Sequence, residues 1–259
     1  MKKLLPKNFF GRLCRAIVEF DMIEDGDKIL IGLSGGKDSL FLTYALAFLR
    51  DRKDHKFELA VITLDPMFSS DFDTSGLARF CTDLDIPFYT QQVDIAGIIA
   101  RNNYNDPCFS CAFFRRGAIN KFATLHGFNK IAYAHHHDDA VETFLMSILY
   151  SGQLKTFLPK TYLDRTGLTV IRPLIYFRES ELCGTPQIHG FTPIPSPCPY
   201  NGRTKRQEIK DMIHHMEQDN QLTYTHLSSA MRTSPSTELW PAKLSREEML
   251  TKHIAFWRK

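Results

Sequence analysis

Short apolar runs alternate along the chain with longer stretches in which apolar residues return every three or four positions. Compact apolar runs rich in β-branched and aromatic residues mark strands, and the wider spacing is that of an amphipathic helix. On that basis strands are expected at 28–33 (KILIGL), 57–64 (FELAVITL), 87–93 (PFYTQQV), 130–135 (KIAYAH) and 169–176 (TVIRPLIY). Helices are expected between them, at 38–50, 74–84, 112–126 and 139–150. Phe10, Leu13, Cys14, Ile17 and Val18 mark a further helix within 1–25. Strands that alternate with helices build a parallel sheet covered on both faces, so the fold class is α/β. Ligands of such sheets collect beyond the carboxyl ends of the strands. That rule brings Ser34–Ser39, Asp65 and His135–Asp139 around one crevice.

Downstream the pattern weakens. The segment Gly184–Gly202, GTPQIHGFTPIPSPCPYNG, carries Pro186, Pro193, Pro195, Pro197 and Pro199 and reads as an ordered loop without regular structure. RTKRQEIKDMIHHM, from Arg203, then reads as a basic helix. Residues 217–259 have no clear pattern and are expected to form a peripheral arm on one domain spanning 26–216.

Composition adds few constraints. An apolar fraction of 43% and a charged fraction of 24% are ordinary for a globular protein. A net charge of +3 decides nothing about nucleic acid, because local patches matter more than totals. Lys2 and Lys3 ahead of two leucines imitate a signal peptide, but Pro6, Lys7, Asn8, Arg12 and Arg15 interrupt any apolar core. No run approaches the ~18 apolar residues of a membrane span, so a cytoplasmic protein without membrane partners is expected. In a reducing compartment a close pair among the six cysteines reads as a metal or redox site.

The first chemical signal is ILIGLSGGKDSLFL, Ile29–Leu42. It is not a Walker loop, which needs four residues between its glycines and a Ser or Thr after the lysine. Here three residues separate Gly32 from Gly36, and Asp38 follows Lys37. It is nevertheless an anion site. Glycines let backbone N–H groups approach oxygen, and a helix N-terminus adds positive partial charge. Lys37 supplies a full charge, and Ser34 and Ser39 supply hydroxyls. A bare glycine-rich turn is the plainer reading of an isolated glycine pair, and the complete pattern argues against it.

The string resembles the PP-loop pyrophosphatase family, whose signature is Ser-Gly-Gly-x-Asp-Ser after the first strand. The resemblance implies an adenine-nucleotide alpha-hydrolase-like, Rossmann-like fold in which Leu33, Ser34, Gly35, Gly36, Lys37, Asp38 and Ser39 hold ATP. It implies that the β and γ phosphates are gripped while an acceptor oxygen is adenylated at the α phosphorus. Pyrophosphate leaves, a nucleophile displaces AMP, and Mg2+ neutralises the leaving group.

A second block, AYAHHHDDAVETFLMSILYSG, places Asp138 and Asp139 at a helix start, where carboxylates favour the dipole. Val141, Leu145, Ile148 and Leu149 are expected on its buried face. Capping and a solvated histidine turn would account for part of this block. It also resembles the Gly/Ala-His-His-x-Asp-Asp motif shared by tRNA 2-thiocytidine synthetases and tRNA-Ile lysidine synthetases. That resemblance implies that Ala134 and His135 approach the nucleotide and that Asp138 or Asp139 organises magnesium or the base. A metal site of His135, His136 and His137 is not expected, because successive strand residues point to opposite faces.

Cys108 and Cys111 form a CxxC, a pattern that serves zinc, iron–sulfur clusters and disulfide exchange alike. Its context, CFSCAFFRRGAINKFATLHGFNKIAYAHHHDD followed by VIRPLIYFRESEL, closely resembles the 2-thiocytidine branch; lysidine synthetases lack the CxxC. The branch carries a further cysteine one strand and one loop later, where Cys198 stands. Two departures are visible. PSPC replaces the usual distal Cys-x-x-Cys, and Gly184 and Pro186 interrupt a helix near Cys183. The resemblance implies that Cys108, Cys111 and Cys198 hold a [4Fe–4S] cluster with one iron open to sulfide. Zinc completed by His126 or His189, and a persulfide relay through Cys198, remain alternatives. Cys14 and Cys81 read as buried apolar residues.

Arg115 and Arg116 follow the cysteine pair, and Arg203, Lys205, Arg206 and Lys210 lie on or near the helix after Cys198. Phosphate recognition needs such groups near a crevice, although a charged helix is often simply solvated. Adjacent in sequence, Arg115 and Arg116 are not expected to face one partner squarely. The resemblance implies tRNA as the partner, with sulfur from a cysteine desulfurase or free sulfide, and it allows a homodimer. The expected function is therefore an ATP-dependent sulfurtransferase using Lys37, Asp138, Asp139 and the three cysteines. Its rivals are a lysidine-like ligase with a structural cysteine site, a thiolase of a non-tRNA substrate, and a non-catalytic cluster or nucleotide sensor.

Overall fold

The computed structural model describes residues 4–52, 56–69, 72–102, 107–194, 198, 204–232 and 244–257. In chain order the elements are α1 (Lys7–Glu19), β1 (Lys28–Gly32), α2 (Lys37–Arg50), β2 (Glu58–Asp65), α3 (Ser75–Asp83), β3 (Phe88–Gln92) and α4 (Ile95–Asn102). There follow α5 (Pro107–Leu125), β4 (Lys130–Ala132), α6 (His137–Ser151), β5 (Lys160–Leu163), β6 (Leu168–Ile171), α7 (Glu179–Leu182), α8 (Thr185–His189), α9 (Lys205–Asp219), α10 (Thr223–Ala230) and α11 (Arg246–Trp257).

The sheet runs β3-β2-β1-β4-β6-β5, parallel throughout except for the antiparallel β5 edge. β1 is central, its Ile29, Leu30 and Ile31 fully buried between two apolar layers. One layer, under α1 and α2, centres on Phe9, Phe41 and Phe177, packed edge-to-face at 5.4–5.6 Å. Such pairs contribute about 0.5–1.5 kcal/mol each beyond their burial, and they tie α1 and α2 to the chain after β6. The other layer sets α5, through Ile119 and Ala123, against Leu30, Ile62 and Ile131. This is the α/β arrangement that the alternating pattern predicts.

The differences have local causes. The strand expected at 169–176 stops at Ile171, since Pro173 lacks the N–H that a ladder needs. β4 ends at Ala132, so His135 lies in a loop. The helix expected at 112–126 begins at Pro107 and takes both cysteines into its first turns. β5 and α4 carry weak patterns, β5 because its edge position leaves every side chain at least partly exposed. α8 lies within the expected irregular loop, opened by Pro186 and closed by Gly190 at φ 70°. On α6 the buried residues are Ala140, Val141, Glu142 and Phe144, whereas Leu149 is exposed. α10, in the segment expected to be an arm, packs Tyr224 against Val141, Ile209 and Ile213. Among the described residues no helix is long and apolar enough to cross a membrane.

Candidate active site

β1 delivers the glycine-rich loop to the end of the sheet, and Gly36 caps α2. Gly35 adopts φ +83°, a conformation that disfavours any Cβ. The two serines brace the turn: their hydroxyls lie 3.1 Å apart, and the Ser39 hydroxyl donates to the Gly36 carbonyl at 2.9 Å. A cavity of about 320 Å³ opens here, bounded by Leu33, Ser34, Gly36, Asp38 and Ser39 of the loop and by Ala134 and His135 after β4. α5 closes it with Ala112, Arg115, Arg116 and Ile119. Arg115 and Arg116 thus face one cavity despite being neighbours, because long side chains span the angle between successive helix positions. Asp65, at the end of β2, is not among the lining residues.

Lys37 turns to Asp38 at 3.2 Å and Glu179 at 3.4 Å. Burial disfavours its charge, but those two carboxylates outweigh burial and hold the ammonium above its ordinary value. The Asp38 carboxyl is also pushed above its ordinary value, chiefly by burial, with Lys37 opposing. Its Oδ1 atom is buried without a hydrogen-bond partner.

The histidine–aspartate segment is tightly wired. His136 caps α6: its backbone N–H donates to Asp139 Oδ2 at 2.9 Å, while its ring accepts from the Asp139 N–H. Asp139 Oδ1 also accepts from Arg206 at 3.1 Å. Asp138 accepts from Arg178 Nε at 3.0 Å and from the Glu179 N–H at 2.8 Å. Both aspartates are therefore engaged by arginines, and they join α6 to α7 and α9. Arg178 lies over the Tyr224 ring, 3.3 Å from its centroid, and the Tyr224 hydroxyl meets His137 Nδ1 at 2.6 Å. His135 faces the cavity and accepts from Arg172 Nε at 3.3 Å. Burial brings its pKa down to about 4, so its ring is neutral at pH ~7.

Of the predicted basic residues, Arg206 is committed to Asp139 and Glu142, and Lys205 pairs with Glu208 on the surface. Arg203 lies outside the described residues. Glu179, Lys210, Arg172 and Tyr224 are site residues that sequence reasoning assigned no role in the nucleotide site. The Arg-Glu pair of FRESEL pointed toward Arg178 and Glu179, but nothing marked Tyr224.

Cys108 and Cys111 stand three positions apart, on one side of α5. Cys108 is exposed, and Cys111 and Cys198 are half-buried. Burial pushes the Cys111 thiol up, Arg115 pulls it down, and the nearby Cys198 raises it further. The distal cysteine thus lies within electrostatic reach of Cys111. As the side chains stand, no three His, Cys, Asp or Glu among the described residues are grouped closely enough to hold an ion. His126 stacks on Phe122, and His189 lies among Phe41, Tyr44 and Phe191.

The PP-loop domain family matches residues 9–216. This chain belongs to the PP-loop family. Within that family it is 35% identical over 240 residues to the tRNA-cytidine(32) 2-sulfurtransferase of Herminiimonas arsenicoxydans, covering 90% of this chain and 75% of the relative. It is 30% identical over 241 residues to the protein of that name from Citrifermentans bemidjiense, covering 92% and 94%. In fold it is similar to the U34-tRNA thiolase NcsA from Methanococcus maripaludis, solved with its [4Fe-4S] cluster. That match has a TM-score of 0.72 and 21% identity, over 96% of this chain and 89% of the other.

For a PP-loop protein the two groups to weigh against these side chains are a cluster and magnesium. Three thiols, two spaced along one helix side and the third electrostatically coupled to Cys111, match a cluster in donor chemistry. For magnesium the partnerless Asp38 oxygen, beside the phosphate loop, is the better-suited carboxylate. Asp138 and Asp139 would first have to release arginines.

Proposed function

We propose that this PP-loop protein is an ATP-dependent tRNA sulfurtransferase that replaces the C2 oxygen of a cytosine by sulfur. One observation carries the reading: the helix bearing Cys108 and Cys111 also supplies Arg115 and Arg116 to the cavity bounded by Ser34, Gly36 and Ser39. One helix thus carries both the thiols and part of the nucleotide cavity wall, which supports a two-step transfer in one space.

The loop residues Ser34, Gly36 and Ser39, with the α2 N-terminus, orient the pyrophosphate half of ATP. The cytosine carbonyl oxygen attacks the α phosphorus, and the P–O bond to pyrophosphate breaks. Lys37, held charged by Asp38 and Glu179, stabilises the leaving charge. Asp38 is the carboxylate for magnesium, which would share that charge. Neutral His135 leaves the cavity's positive charge to the arginines. A [4Fe–4S] cluster on Cys108, Cys111 and Cys198 would present sulfide to the activated carbon, and AMP departs with the original oxygen. Arg115 and Arg116 screen the departing phosphate and the approaching RNA. Sulfur arrives from a cysteine desulfurase or as free sulfide. Cytoplasm, where tRNA is found, is the fitting compartment.

Lys37→Met keeps the apolar stem and removes the charge. AMP formation stimulated by tRNA is expected to fall by about 100-fold or more in this variant, measured by nucleotide chromatography. Turnover near that of the wild type would remove Lys37 from the chemistry.

A further inference from the structure

Tyr133, just past β4, carries its phenol oxygen to a buried position in the cavity wall, without a hydrogen-bond partner. Its ring lies over Gly32, where a Cβ would come within 2.9 Å of it. A buried hydroxyl left unpaired is costly, and this one faces positive charge. Burial pushes its pKa up to about 12, against the pull of Arg116, Arg172 and Arg115, so it stays a donor.

Arg172 emerges from the end of β6. It donates to the Leu158 carbonyl at 2.6 Å, to His135 Nδ1 at 3.3 Å and to the Thr161 hydroxyl at 3.4 Å, and it stacks over Phe157 at 4.9 Å. None of these partners is a carboxylate. Arg115 and Arg116 likewise form no ion pair with a described carboxylate. Three guanidinium groups without a carboxylate partner among the described residues, around an unpaired O–H donor, are the makings of an oxyanion receptor.

The phosphates of ATP already have a cradle on β1. Arg172 lies two strands away, across β4, or about 10 Å at ordinary strand spacing. Beside it Leu158, whose carbonyl it bonds, is exposed, a contact suited to an unstacked base.

We propose that Tyr133 and Arg172, with Arg115 and Arg116, receive a backbone phosphodiester of the RNA beside the nucleotide to be modified. This rests on the tRNA reading above. The test measures binding of an unmodified tRNA transcript to the full chain by fluorescence anisotropy across a KCl series, and ATP binding by calorimetry. Tyr133→Phe should weaken RNA binding about tenfold without lowering the melting temperature, since the lost hydroxyl had no partner. Arg172→Gln should also weaken it and flatten the salt dependence by about 0.7 of a log–log unit. ATP affinity should fall less than RNA affinity in both, although Tyr133 lines the cavity that holds the nucleotide. Should Arg172→Gln fail to fold, Tyr133→Phe decides alone. Unchanged RNA affinity in Tyr133→Phe overturns the proposal, as does a loss confined to ATP, which would make the bound phosphate the nucleotide's own. Failure of the wild type to bind tRNA overturns both this proposal and the function beneath it.

Discussion

Ile194 donates its backbone N–H to the Gly35 carbonyl at 2.9 Å, and its Cγ1 atom stands 2.6 Å from where a Cβ on Gly35 would be. The chain at Ile194 is thereby seated on the phosphate loop. Gly35→Ala would combine a left-handed φ with this collision and cost about 2 kcal/mol or more. At ~2–4 °C per kcal/mol, the melting temperature should drop by roughly 5 °C. Ile194→Ala relieves the collision alone, so the double variant should lose less than the sum of the singles. Strict additivity in thermal melts would mean that the two residues do not press on each other.

Asp138 and Asp38 should separate cleanly. Asp138 bonds Arg178 and the Glu179 N–H, so Asp138→Asn should lower stability by about 1–2 kcal/mol. The magnesium concentration for half-maximal activity should remain as in the wild type. Asp38 has one buried oxygen with no partner and one bonded to Lys37, so Asp38→Asn should cost less stability than Asp138→Asn and raise the magnesium requirement. Melting curves and magnesium titrations on both variants check this, and the reverse pattern would return magnesium to Asp138.

Glu142 provides a pH signature. Burial, and then the Asp139 charge, push its carboxyl up to about 7 despite Arg206 and Lys210. Unfolded, it releases its proton near 4.5. Between those values the folded protein holds a proton that the unfolded chain has lost, so stability falls as pH rises. His135 runs oppositely: neutral in the fold down to about 4, it withdraws stability as pH falls below about 6.5. The overlapping trends flatten the wild-type curve. Glu142→Gln removes one of them, and its stability relative to the wild type should rise by about 2 kcal/mol between pH ~5 and ~8. A pH-independent difference in thermal melts would contradict this.

The thiols should rank by environment under iodoacetamide at pH ~8. Cys108 and Cys183 are exposed and should react first. Cys81 is buried, its pKa pushed up to about 12, and should stay unlabelled in the folded protein. Arg115→Ala removes the pull that opposes burial at Cys111 and should slow labelling there several-fold, with Cys183 unaffected. Peptide mass spectrometry gives each rate. Equal slowing at Cys183 would point to a global change.

The nucleotide end of the site was legible because glycine, lysine and hydroxyl spacing is itself the chemistry of an anion cradle. β1 and α2 followed from unbroken apolar runs that only burial explains. The partners of Asp138 and Asp139 were not legible: an aspartate at a helix start looks the same whether it meets solvent, magnesium or an arginine far along the chain. Tyr224 was hidden for the same reason, its role arising from α10 packing on α6 and α9. Tyr133 and Arg172 read as strand residues, and only the ends of β4 and β6 turned them into the cavity region.

The central claim is that one cavity activates a cytosine with ATP and then delivers sulfur by way of Cys108, Cys111 and Cys198. Its most direct measurement is nucleoside mass spectrometry of tRNA incubated with anaerobically reconstituted protein, ATP, magnesium and sulfide. ATP-dependent 2-thiocytidine should accumulate in step with AMP and vanish in Cys198→Ser. AMP without any thionucleoside, or equal thiolation by Cys198→Ser, would contradict it.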